Sequence, residues 1–140
     1  MEYKENILTI DSYCALRESV GWNNFSVEQI REVLKNSTYD IVAFKEENAV
    51  GMGRLIGDGL YYTIVDIVVA PKFQGKGIGT SIVNHIMNYI VENIPKGGRV
   101  SVQLISEKGK EPFYEKLGFE TIPNDNCGSG MKRININSNL

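Results

Sequence analysis

The chain has 140 residues, 42% of them hydrophobic and 23% charged, which is the size of one domain and the composition of a folded protein rather than a disordered one. Its formal net charge is −2, which argues against the basic surface of a general nucleic-acid binder. No apolar run approaches the roughly 20 residues that span a bilayer, so no membrane partner is expected. Cys14 and Cys127 lie far apart and outside any CxxC pair, and Met1–Asn6 lacks the charged-then-apolar layout of a secretory signal. Reduced thiols and a cytoplasmic location follow as expectations. One histidine, His85, leaves zinc without an ordinary ligand set, so no metal is expected. A Ser-His-Asp mechanism would need that same residue, which falls in a helical stretch far from any nucleophile motif.

No repeat, low-complexity stretch or linker divides the chain, and residues 1–140 are expected to form a single domain. Residues 3–8 suit a short strand. Residues 10–20 predict a helix that Gly21-Trp22-Asn23-Asn24 breaks. Ser26 then opens a second helix, with Gln29 as capping-box partner and Val27, Ile30, Val33 and Leu34 as its apolar stripe. Three strand-like runs follow, at residues 40–45, 49–56 and 60–69. The short turns between them predict an antiparallel meander. The stretch 77–93 is the clearest helix: Ile78, Ile82, Ile86 and Ile90 recur every fourth residue, with Val83 and Met87 beside them. A strand at 99–105, a short helix at 110–117 stopped by Gly118, and two last strands at 119–122 and 131–136 complete the order βααβββαβαββ. The fold class is α+β, with a crossover helix joining two neighbouring strands.

The chemistry concentrates in Asp66-Ile67-Val68-Val69-Ala70-Pro71-Lys72-Phe73-Gln74-Gly75-Lys76-Gly77-Ile78-Gly79-Thr80. A strand runs into a glycine-rich turn, and the turn opens a helix. The helix start offers unpaired N–H groups and the positive end of the dipole, the glycines let an anion approach the backbone, and Lys76 adds a cation. This is a phosphate or pyrophosphate cradle. It is not a P-loop, because Gly77 rather than Ser or Thr follows Gly75-Lys76, and no glycine stands where that motif's first one should. It is not a dinucleotide fingerprint either, because Thr80 occupies the third glycine's place and the turn from strand to helix is too long.

Gln74-Gly75-Lys76-Gly77-Ile78-Gly79 resembles the Q/R-x-x-G-x-G/A acyl-CoA motif of the GNAT superfamily of N-acetyltransferases. The apolar strand before it fits the same family, and Phe113-Tyr114-Glu115-Lys116-Leu117-Gly118-Phe119 resembles that family's second signature. The element order matches over nearly the whole chain. The resemblance implies the acyl-CoA N-acyltransferase fold, a central mixed, mostly antiparallel sheet flanked by helices. It implies a transferase that moves acetyl from acetyl-CoA to a primary amine, by direct attack of the amine on the thioester.

Residue by residue, the resemblance assigns the CoA pyrophosphate to the backbone amides of Gln74, Gly75, Lys76, Gly77, Ile78, Gly79 and Thr80. It assigns the pantetheine arm to Ile67, Val68 and Val69, and the acyl group to the place where strands 60–69 and 99–105 splay apart. The Val68 N–H is the candidate to polarise the thioester carbonyl, an effect worth roughly 3–4 kcal/mol in other enzymes. Tyr114 matches the tyrosine that protonates the departing CoA thiolate; a phenol and a thiol have reference pKa values of about 10 and about 8.5. Asp66, an acid inside an apolar strand, is the candidate general base, on a face shared with Ile64 and Val68 if the strand is regular. The alternative for Asp66 is a structural pairing. Glu111 is a weaker candidate base.

Trp22, Asn23, Asn24 and Phe25 occupy the stretch where such proteins build the acceptor pocket, though Trp22 reads equally well as a core anchor. Tyr61 and Tyr62 alternate, so only one of them can face the site. Residues 124–131 form a polar, glycine-rich loop that either closes over the acceptor or only joins two strands. The acceptor is read as a small amine (a polyamine, an arylalkylamine or an aminosugar). The alternatives are a peptide or protein amine, at lysine or the N-terminus, and a CoA-binding module without catalysis. Small chains of this kind often form homodimers.

Overall fold

The computed structural model describes residues 1–138. In chain order it contains β1 (Glu2–Glu5), α1 (Ile10–Ser19), α2 (Val27–Lys35), β2 (Tyr39–Lys45), β3 (Asn48–Gly57), β4 (Tyr61–Val69), a 3-10 turn (Pro71–Phe73), α3 (Ile78–Glu92), β5 (Ser101–Leu104) and α4 (Glu111–Glu115). These elements fall into two compact units, Met1–Ile105 and a second beginning at Ser106. Among the described residues no helix is long and apolar enough to cross a membrane.

The first unit is built on one sheet in the order β1-β2-β3-β4-β5. The first four strands pair antiparallel, and β4 pairs parallel with β5 across the crossover helix α3. The expected mixed sheet is therefore the one that forms. The helix starts are specified locally. The Thr9 side chain accepts from the Ser12 N–H at 3.1 Å, and the Ser26 side chain accepts from the Gln29 N–H at 3.2 Å, as the capping pattern predicts.

Two layers cover the sheet. On one face α3 buries Ile78, Ile82, Val83, Ile86 and Ile90. It comes close because β3 carries glycine beneath it: a Cβ on Gly53 would lie 2.7 Å from both Ile67 Cδ1 and Ile82 Cγ2. Tyr39 stacks on Tyr89 at the same face, with centroids 4.6 Å apart. On the other face Tyr13 and Leu16 of α1 and Ile30 of α2 pack with Val42, Met52 and Val68.

The β3–β4 ladder slips once. Arg54 lies opposite Val65 and Met52 opposite Val68, so Asp66 and Ile67 together face the single residue Gly53. Asp66 takes φ 55°, a left-handed conformation rare for a residue with a side chain. This bulge corrects one expectation. Asp66 does project with Val68 toward α1, but Ile64 pairs with Leu55 on the α3 face, because the extra residue inverts the alternation between them.

In the second unit α4 carries Tyr114, whose ring meets Phe113 and Phe119 edge-on at centroid distances of 4.9 and 6.1 Å. Gly118, at φ 95°, reverses the chain so that the Phe119 N–H returns to the Tyr114 carbonyl at 3.2 Å. The strands expected at 119–122 and 131–136 do not form. Among the described residues the only β pairing there is an isolated bridge between Asn124 and Cys127. An apolar pattern makes a strand only when a neighbour takes up its hydrogen bonds and covers one face, and Met131, Ile134 and Ile136 all remain exposed.

Candidate active site

The site is assembled at the point where β4 hands over to α3. The Ser81 N–H, bonded to the Gly77 carbonyl at 3.1 Å, is the first to close a turn of α3. The N–H groups of Ile78, Gly79 and Thr80 ahead of it therefore have no acceptor within the helix. Among the described residues no side chain caps this end, and no acidic residue stands in its first turn, so the positive pole of a 15-residue helix is left uncompensated. Gly75 and Gly77 have φ of 75° and 84°, and a Cβ at either would meet nothing within 4 Å. The amides thus border open space that an anion can enter. Lys76 Nζ and Lys45 Nζ each lie 5.6 Å from the centre of the Phe73 ring, adding positive charge beside the turn.

Gln74 fixes the turn to the strand: its side-chain Nε2 donates to the Val69 carbonyl at 2.8 Å. Pairing between β4 and β5 stops at Ile64 and Leu104, whereas β4 runs on to Val69. From Val65 onward β4 is paired only with β3 among the described residues, which leaves one backbone edge free. The direction of the amides along this edge follows from alternation. The Ala70 N–H donates to the Val50 carbonyl at 2.9 Å, and in the same register Val68 faces Met52. The Val68 N–H accordingly points into the β3 ladder, while the N–H groups of Val69 and Ile67 point outward.

Asp66 sits at the bulge and is fully engaged. Its Oδ1 accepts from Arg17 Nη1 at 2.9 Å, and its Oδ2 accepts from Arg54 Nε and the Tyr13 hydroxyl, both at 2.9 Å. Burial, reinforced by the neighbouring Asp66 carboxylate, pushes the Tyr13 phenol up to about 12. Asp40, close by on β2, accepts from the Ile7 and Leu8 N–H groups through Oδ1, each at 3.0 Å. Burial nevertheless raises its pKa, with those two bonds and Arg54 opposing the rise. In the second unit, burial raises the Tyr114 pKa, and the Glu107 charge adds to the effect. Glu111 Oε1 accepts from the Gly109 N–H at 2.7 Å.

A family model for an acetyltransferase (GNAT) domain matches residues 11–138. The chain belongs to the GNAT acetyltransferase family. A probable acetyltransferase from meticillin-resistant Staphylococcus aureus superposes on this GNAT domain with a TM-score of 0.85 at 33% identity, over 96% of this chain and 98% of that one. GCN5-related N-acetyltransferase 1, chloroplastic, of Arabidopsis thaliana is 33% identical over 121 residues, covering 83% of this chain and 58% of that protein. The chain likewise spans 64% of the length of its N-acetyltransferase relatives from Pyropia yezoensis and Porphyra purpurea. An aminoglycoside 6'-N-acetyltransferase complexed with coenzyme A shares the fold, with a TM-score of 0.69 at 18% identity over 92% of each chain.

Within the first unit of this GNAT domain, the glycine turn, the α3 start and the outer edge of β4 adjoin one another in the order the sequence predicts. Sequence reasoning missed Arg17, Arg54 and Tyr13, the three partners of Asp66. A signal for one of them was present: Arg54 interrupts an apolar run as Asp66 does, in the neighbouring strand of the same hairpin, and two opposite charges so placed imply each other. Of the two tyrosines that open β4, Tyr62 is buried and Tyr61 exposed. His85 is taken up structurally, with Nδ1 on the Ser81 carbonyl at 2.8 Å and its ring stacked on Tyr3 at 4.9 Å.

Proposed function

We propose that this domain transfers the acetyl group of acetyl-CoA to a small primary amine. One observation carries the reading: the uncapped N-terminus of α3 opens directly off the free backbone edge of β4, at a turn whose glycines leave room for an anion. A ligand with a diphosphate at one end and an amide-bearing arm at the other suits that pair of features, and acetyl-CoA is the acetyl donor of the family. In this reading the amides from Gln74 to Thr80 bind the pyrophosphate, Lys76 adds charge, and the edge from Ile67 to Val69 pairs with the pantetheine amides.

The thioester carbonyl takes its hydrogen bond from an outward-facing amide of this edge, Ile67 or Val69. This replaces Val68, whose N–H is directed at Met52. The neutral amine attacks the carbonyl carbon, a C–N bond forms, and the C–S bond breaks with its electron pair on sulfur. Tyr114, kept protonated by its raised pKa, donates to that sulfur. The proton lost by the amine passes to solvent rather than to Asp66, whose two oxygens already accept from two guanidinium groups and a phenol. The free thiols of Cys14 and Cys127 suit a reducing compartment such as the cytoplasm.

The test is thiol release from acetyl-CoA in the presence of spermidine, tryptamine, glucosamine and a short peptide with a free N-terminus and a lysine. Turnover with one of the first three supports the reading. Turnover with the peptide alone moves the acceptor to protein amines. Acetyl-CoA binding without thiol release across the panel assigns a non-catalytic CoA-binding module.

A further inference from the structure

The cluster around Asp66 reaches beyond the strand that carries it. Arg17, on α1, bonds Asp66 through Nη1, and through Nη2 it donates to the Asn23 carbonyl at 2.7 Å. The centre of the same guanidinium lies 5.2 Å from the Trp22 ring centre, 4.9 Å from that of Phe25 and 5.6 Å from that of Tyr13. Only 11% of the Arg17 side chain is exposed. One cation therefore joins the 22–25 segment to the bulge that sets the free edge of β4. Asn24 adds a second tie, donating to Glu18 Oε1 at 2.9 Å and to the Cys14 carbonyl at 3.2 Å.

We propose that Arg17 is a positioning residue: it clamps Trp22–Phe25 against the β4 bulge as one wall of the amine cleft, with Asp66 as its counter-ion. The proposal rests on the acetyltransferase reading above and adds the device that shapes the acceptor side. Planarity matters here. A guanidinium bonds a carboxylate and a carbonyl along its edge while presenting its faces to aromatic rings, which a lysine ammonium does not do. The faces of Trp22 and Phe25 that meet Arg17 are already occupied, so the acceptor's ammonium does not find its cation site there. Phe25, half exposed, offers its remaining surface to the acceptor's carbon skeleton.

The test compares Arg17→Met, Arg17→Lys, Phe25→Ala and Asp66→Asn with the parent chain, using whichever of the four probe amines the parent turns over fastest. Trp22 is the only tryptophan, so acrylamide quenching of its emission reads the clamp directly and needs no turnover. The expected result is easier quenching in Arg17→Met, partly restored in Arg17→Lys. With it, the amine KM should rise about tenfold in Arg17→Met and about threefold in Arg17→Lys and Phe25→Ala, while kcat and acetyl-CoA affinity stay within about twofold. Asp66→Asn should raise the amine KM and keep kcat, whereas loss of a general base would cost it about a hundredfold or more. If Arg17→Met does not fold, Arg17→Lys and Phe25→Ala decide. Unchanged quenching, an unchanged amine KM, or a collapse of kcat in folded Asp66→Asn overturns the proposal. Should the parent release no thiol with any probe, the acetyltransferase reading fails by itself, and the quenching series still decides whether Arg17 holds the segment.

Discussion

The side chain of Gln74 donates to the backbone carbonyl of Val69 at 2.8 Å, so the first residue of the glycine motif is anchored to the last residue of β4. The bond spans the 3-10 turn and fixes where the amides of the loop begin relative to the free strand edge. A hydrogen bond of this kind contributes about 1 kcal/mol, a factor of roughly five in an equilibrium constant. Gln74→Ala should weaken acetyl-CoA binding by about that factor, as read by titration calorimetry. An affinity equal to the parent's would show that the anchor is not needed for the loop's geometry.

Gly77 takes φ 84° as the N-cap of α3, with open space where a side chain would sit. The obstacle to substitution there is conformational and not steric. Gly77→Ala should lose about 1–2 kcal/mol of stability through the left-handed backbone, and acetyl-CoA affinity should fall with it as the amides turn. Gly77→Asn, which tolerates that region better, should lose less on both counts. Denaturant unfolding and calorimetry on the same three proteins check the order.

Tyr114 is proposed to act on the departing thiolate and not in binding. Because burial and Glu107 raise its pKa, the phenol stays protonated through neutral pH and well into the alkaline range. Tyr114→Phe should lower kcat while leaving acetyl-CoA affinity within about twofold of the parent, the pattern of an interaction made only as the thiolate departs. Equal kcat in the two proteins would remove Tyr114 from the reaction.

Asp40 should govern part of the acid response of stability. Burial raises its pKa in the folded state above the ordinary 3.8, so between those two values the native state holds more proton than the unfolded chain. Stability from this group therefore falls as pH rises through that window. Asp40→Asn keeps an oxygen for the Ile7 and Leu8 N–H groups and removes the charge. The melting temperature of Asp40→Asn relative to the parent should thus improve on going from pH 4 to pH 7, and a constant difference would contradict the assignment.

Gly53 lies beneath Ile82 and Ile86 of α3. A methyl group there would sit 2.7 Å from atoms of Ile67 and Ile82. Gly53→Ala should destabilise the fold by about 1–3 kcal/mol through overpacking, seen as a lower urea midpoint with an unchanged slope.

Much of this organisation was legible in the chain. The isoleucines of α3 repeat every fourth residue, and they are the ones the sheet buries. The glycine motif falls at the helix start, as its chemistry requires. The slip in β4 was not legible, because Ile64, Asp66 and Val68 present an unbroken alternation. The tertiary attachment of Asp66 to α1 and to Arg54 accompanies the bulge, which keeps the carboxylate on the Val68 face and puts Ile64 on the other. Residues 131–136 erred in the other direction, since apolar residues in a segment with no ladder partner among the described residues did not make a strand.

The free edge of β4 has a cost when nothing lies along it. Its two ends are held before any ligand arrives, one by the Asp66 ion pairs and the other by Gln74, so little chain entropy stands between the protein and whatever pairs with it. A short, rigid, open strand is also a template for another chain's backbone. The cosubstrate that the edge is proposed to bind would therefore act as a guard as well as a reactant, covering hydrogen-bonding groups that a second polypeptide could otherwise recruit.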